Sequence, residues 1–121
     1  MSSTPPGSAW EDALPDAARQ AIAAVLDPGE SVEYAALAVG SSLVLTQHRV
    51  ILVRDGASFR PKSGVRSFEL GPGLAIRIGP ARRRVIIESG GRTINAFVRS
   101  EQLAQAEAFV AEVRRRMYQD D

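Results

Sequence analysis

Few residues of this chain could do chemistry, and their types restrict what that chemistry is. There is no cysteine and one histidine, His48. Thiolate nucleophiles, disulfides, Cys-based zinc sites and single-chain His-cluster metal centres are therefore excluded. His48 sits in Thr46-Gln47-His48-Arg49. As a general base it would need an adjacent nucleophile and a third group to orient it, and neither is near in sequence. The structural expectation is a turn in which the Thr46 hydroxyl bonds to backbone and Arg49 pairs with a neighbouring acid. The functional alternative makes His48 and Arg49 contacts for an anion or a peptide carboxylate. The pairs Glu11-Asp12 and Asp120-Asp121 lie near the ends of the chain, where no enclosed pocket shifts their proton affinity. Gly71-Pro72-Gly73 and Ser89-Gly90-Gly91 open no helix and carry no lysine, so they read as turns rather than phosphate cradles. No catalytic residue, metal or cofactor is expected.

Two basic groups remain. Arg54, Arg60, Lys62 and Arg66 surround the stretch SFRPKSG and could hold a phosphate or an acidic head group. Arg82-Arg83-Arg84 is the densest positive run, and strand alternation sends Arg82 and Arg84 one way and Arg83 the other. Three arginines without interleaved aromatics argue for a solvated turn rather than a nucleic-acid surface. The chain as a whole has 15 basic and 14 acidic residues, a net charge of +1. No global field draws it to nucleic acid or membrane.

The elements that must position these residues follow from periodicity and punctuation. The first ten residues are rich in Ser, Thr, Pro and Gly and are expected to be a disordered tail. They show no basic region followed by an apolar run, and no stretch of 18 apolar residues occurs anywhere, so a cytoplasmic protein is expected. Leu14, Ala18, Ala21, Ile22 and Val25 recur at helical spacing. They predict a helix over about 13–26, with Pro15 in its first turn and Asp27-Pro28-Gly29 as its stop. Trp10, Leu14 and Ile22 are candidates for a partner surface if this stripe does not pack on its own molecule.

From about 31 to 98 the period shortens towards two. Runs SVEYAALAV, SLVLT, VILVR, VRSFEL, LAIRI, RRVIIE and RTINAFV predict seven short antiparallel strands, with Gly40-Ser41-Ser42 as the first turn. Ser100 is a plausible N-cap for a helix over about 100–117. Its stripe of Leu103, Ala106, Phe109, Val110, Val113 and Met117 must dock on the sheet.

This order of elements resembles the pleckstrin-homology (PH) superfold. The hairpin LVLTQHRVILVRDG is similar to that of bacterial PH-like domains and the related GRAM domains, as are the lead-in LDPGESV and the later segment VRSFEL. The resemblance spans about residues 26–117 and implies a mainly β (β+α) fold over 11–119: a partly open barrel, capped by the C-terminal helix, with an extra N-terminal helix. It also implies a binding role without catalysis. The loop Val39-Gly40-Ser41-Ser42 lacks the basic residues with which PH domains hold inositol phosphates, so that ligand is not expected. The expectation is a module that recognises a protein partner or forms a homo-oligomer. The alternative is an anionic membrane surface bound through Arg54, Arg60, Lys62, Arg66 or Arg82 to Arg84.

Overall fold

A computed structural model describes residues 14–55 and 64–118. Helix α1 (Asp16–Val25) is followed by seven strands: β1 (Val32–Ala38), β2 (Ser41–Thr46), β3 (Arg49–Arg54), β4 (Val65–Glu69), β5 (Leu74–Ile78), β6 (Arg84–Ser89) and β7 (Arg92–Phe97). A 3-10 turn at Ser100–Gln102 leads into helix α2 (Leu103–Tyr118). All pairings are antiparallel, in one sheet ordered β1-β2-β3-β4 and another ordered β5-β6-β7. Among the described residues the protein is thus mainly β with two α-helices, and the strands form two sheets rather than a closed barrel.

The inner core lies between the two sheets and α2. Leu43, Leu45, Val50, Leu52 and Phe68 from the first sheet meet Leu74, Ile76, Val85 and Ile87 from the second. Ala106, Phe109, Val110 and Val113 of α2 close it, with Leu103 and Met117 packed at its margin. This is the stripe expected from spacing. Burial of Phe109, Val110 and Val113 contributes roughly 5–9 kcal/mol as an upper bound. Polar ties fix the same helix. The Gln105 side chain accepts from Leu37 N–H at 3.2 Å, covering the outer edge of β1. Arg116 pairs with Glu33 and Glu112 and lies 6.0 Å from the Tyr34 ring centre.

A second core lies on the opposite face of the first sheet. There Leu14, Ala18, Ala21 and Ile22 pack on Val32, Val44, Ile51 and Val53. Every residue of β2 is consequently buried, because one face looks into the molecule and the other lies under α1. Leu14 and Ile22, named above as candidate partner contacts, are 5 % and 0 % exposed. They pack on their own sheet and present no free surface.

Several boundaries differ from expectation. Pro15 stands outside α1 at the N-cap, and the helix ends at Val25. The β1–β2 turn is Val39-Gly40, with Gly40 at φ +73°, and Ser41 and Ser42 belong to β2, where both are buried. Ser100 opens the 3-10 turn. The capping position falls one residue earlier, where Arg99 N–H donates to Gln102 Oε1 at 2.9 Å. Arg82 and Arg83 sit in the β5–β6 turn rather than on a strand, so the expected alternation does not apply to them. Trp10, Arg60 and Lys62 lie outside the described residues.

Candidate functional site

Two places on the molecule concentrate chemistry. The first is the β2–β3 turn and the segment that enters β1. Asp27-Pro28-Gly29-Glu30 forms a turn closed by Glu30 N–H donating to Asp27 O at 2.9 Å. Proline at its second position and Gly29 at φ +81° are what a type II turn requires. This turn swings the Glu30 side chain back under the β2–β3 turn, where it is 1 % exposed. Glu30 Oε2 accepts from Thr46 Oγ1 and Arg49 Nε, both at 2.7 Å. Its Oε1 accepts from Arg49 Nη2 at 2.7 Å and from Asp27 N–H at 2.9 Å.

Arg49 completes the latch. Its Nη2 also donates to Val25 O at the end of α1, and Nη1 donates to Ser67 Oγ on β4 at 2.8 Å. One guanidinium therefore joins helix, lead-in and two strands. Thr46 Oγ1 accepts from His48 and Arg49 N–H at 3.3 and 3.2 Å, as expected for a threonine in such a turn. Gln47 bridges the turn to the lead-in, donating to Gly29 O and accepting from Ser31 N–H. The Arg49 hydrogen bonds hold the Glu30 carboxyl at about 2, against 4.5 ordinarily, overcoming the opposing effect of its burial.

This arrangement is structural. His48 is exposed, with Nε2 3.2 Å from Glu30 Oε2, and no hydroxyl bonds to it among the described residues. Asp27, Glu30 and His48 could offer three ligand atoms within 4.8 Å of one another. The Arg49 guanidinium already occupies both Glu30 oxygens there, and a divalent cation would have to sit beside that like charge.

The second place is the corner where β7 ends. Val39 N–H donates to Phe97 O at 2.6 Å, joining the β1–β2 turn to the tip of β7. Val39 and Phe97 are the two large apolar side chains exposed among the described residues, at 45 % and 54 %. Val98 N–H donates to Arg83 O at 2.8 Å. Residues 83 and 98 face each other in the β6–β7 register, so Arg92, Ile94 and Ala96 turn their backbone groups towards β6. Thr93, Asn95 and Phe97 turn theirs outward. Apart from the one Val39 bond, no backbone partner meets that outer edge among the described residues.

Beside this corner lies an open cleft of about 630 Å³ whose lining includes Arg82, Arg83, Val98, Arg99, Ser100 and one acid, Glu101. The Gly79–Arg82 turn forms one wall, closed by Arg82 N–H donating to Gly79 O at 3.0 Å. Ala81 occupies its third position at φ +68°, followed by Arg82 at φ +55°, a region that costs a non-glycine residue roughly 1–2 kcal/mol. Arg82 is tied to Glu107 of α2, and the Nε of Arg84 is buried without a partner. Of the expected Arg82-Arg83-Arg84 cluster, then, only Arg83 presents an exposed guanidinium with no ion pair among the described residues. Arg54 and Arg66 are exposed on β3 and β4, away from this cleft.

Sequence reasoning found the Thr46–Arg49 turn but missed Glu30 as the acid. The signal was present, since Glu30 is the acid set by the Pro28-Gly29 turn. It also missed Phe97 and Arg99, because an exposed phenylalanine in an alternating strand looks like any core residue. No helix among the described residues is long and apolar enough to cross a membrane. Comparison with protein-family models, curated proteins and solved structures finds no match to this chain.

Proposed function

We propose that this protein is a non-catalytic binding module of PH-like type that takes a protein partner by adding a strand to the β7 edge. The observation that carries this reading is the unpaired outer edge of β7 with Phe97 exposed at its tip. Exposed edges are ordinarily blunted by charge, proline or a covering element. Here Thr93 to Phe97 is a five-residue run without charge or proline. An extended segment could satisfy the outward backbone groups and gain affinity from main-chain bonds, while Phe97 and Val39 supply apolar contact.

The PH-like assignment is supported by the order of seven antiparallel strands in sheets of four and three, then a helix packed across the core. The T-x-x-R turn and its lead-in glutamate belong to the same reading. A membrane role draws less support, since Arg82 is engaged by Glu107 and the Arg54 and Arg66 side chains stand away from the basic cleft.

Asn95→Pro tests the function. It removes an outward N–H at the middle of an edge strand, where proline is tolerated. Wild-type protein should retain extended peptides in an array, and the variant should lose them at unchanged thermal stability. A wild-type protein that binds no extended peptide and stays monomeric in sedimentation velocity would sink the proposal.

A further inference from the structure

The charges around β7 identify the kind of strand it would accept, an inference that rests on the strand-addition reading above. Arg92 opens β7, and Arg99 follows its last residue by two, with Arg83 beside Arg99 across the Arg83–Val98 backbone bond. All three are exposed, and none makes an ion pair among the described residues. Arg19, Arg49, Arg77, Arg82, Arg115 and Arg116 each have a carboxylate partner, whereas Arg54 and Arg66, exposed like Arg83, Arg92 and Arg99, lie on β3 and β4 and not at this edge. Positive charge without intramolecular neutralisation thus brackets an edge whose own five central residues are neutral.

We propose that the β7 edge receives an extended acidic segment of another protein, with carboxylates near both of its ends and an apolar residue set against Phe97. Arg92 and Arg99 are seven residues apart, roughly 24 Å in extended chain, and by strand alternation on opposite faces, so the matching carboxylates stand about seven residues apart on opposite faces of the added strand. The Arg83–Arg99 side is the stronger anchor. Arg83 and Arg99 both line the cleft there and outnumber its one carboxylate, Glu101, since Arg82 is held by Glu107, and forked donors suit carboxylates.

A second copy of this chain fits poorly. An antiparallel β7–β7 pair centred on Asn95 would place Arg92 of each copy opposite Val98 of the other, next to its Arg99. Like charges would then meet at both ends of the ladder, which is destabilising. An acidic strand turns the same two positions into attractions.

The test uses fluorescein-labelled ten-residue peptides with a Thr/Val centre, read by fluorescence anisotropy against the full chain. One peptide carries glutamates at both ends and one carries lysines. A third repeats the glutamate peptide with N-methyl groups on the backbone nitrogens that would face β7. The glutamate peptide should bind at least tenfold more tightly than the lysine peptide, and the N-methylated form should not bind. Arg92→Glu/Arg99→Glu should reverse the preference, and raised salt should weaken glutamate binding.

N-methyl-sensitive binding without charge preference would overturn this inference and leave strand addition standing. Glutamate binding that survives N-methylation would overturn both, since the contact would be charge without a ladder. Failure of every peptide to bind a protein that stays monomeric would likewise remove both. Self-association abolished by Asn95→Pro would keep the edge and replace the acidic partner with a second copy. Because N-methylation alters the probe alone, the peptide outcomes with wild-type protein do not depend on any variant folding.

Discussion

Replacing Glu30 by glutamine nearly preserves its shape and removes the charge that faces Arg49, whose side chain is only 14 % exposed. Breaking one partner of such a buried pair costs about 3 kcal/mol or more, which urea denaturation of Glu30→Gln should show. The same carboxyl sets a pH dependence. Its pKa is about 2 in the folded protein against 4.5 ordinarily. The contribution is therefore complete above about 4.5 and lost as pH falls through that interval towards 2. The stability gap between wild type and Glu30→Gln should close on acidification across this window and stay constant from pH 5 to 7. A gap that persists at pH 2 would count against the latch. Ala81 makes a second residue-scale case. At φ +68° it carries left-handed strain that glycine would relieve, partly offset by the greater freedom of glycine in the unfolded chain. Ala81→Gly should melt close to wild type, whereas Ala81→Val should lose more than about 1 kcal/mol, since β-branching worsens that conformation. Neither the Glu30 contact nor the Ala81 strain follows from residue type alone, because each depends on which turn the backbone adopts.

At the scale of elements, the sequence was most informative where one face is buried. LAIRI alternates because Leu74 and Ile76 are buried while Ala75 and Arg77 are exposed, and the spacing in α2 picks out its core face in the same way. It was less informative where both faces are buried. In β2 and β3 the runs SSLVLT and RVILVR do not alternate, since α1 covers the face opposite the inner core. That uniformity was itself the sign that the first helix packs on its own sheet, and it decides the position of Leu14 and Ile22. Ile22 is fully buried, so Ile22→Ala should cost about 2–5 kcal/mol in chemical denaturation. A loss under 1 kcal/mol would mean that α1 is loosely held. The β1–β2 turn was misplaced for a related reason. Ser41 and Ser42 look like loop residues by composition, yet they pair with Arg54 and Val53 on β3 and are buried there.

At the scale of the molecule, the first sheet separates two cores that share no residues. Ile22 belongs to one and Val113 to the other. Their alanine substitutions should be additive within about 0.5 kcal/mol, as expected for sites without common contacts. A larger coupling in the double mutant would show that the sheet between them transmits packing strain. The free β7 edge belongs to this scale as well. It became visible only when the register assigned backbone groups to inside and outside, which no local pattern of residue types encodes.

The position of α1 in the chain has a consequence for how the protein is made. Its most vulnerable segments are the two adjacent apolar strands, since uncharged β-branched runs invite pairing with other chains whenever they are bare. Their outer face is covered by the helix that immediately precedes them, so during vectorial synthesis the cover leaves the ribosome before the strands it protects. The inner face must wait for the second sheet and α2, which follow it in the chain. A ribosome stalled after β3 should therefore hold a nascent chain that is shielded on one side and sticky on the other, with chaperone cross-links confined to the inner face.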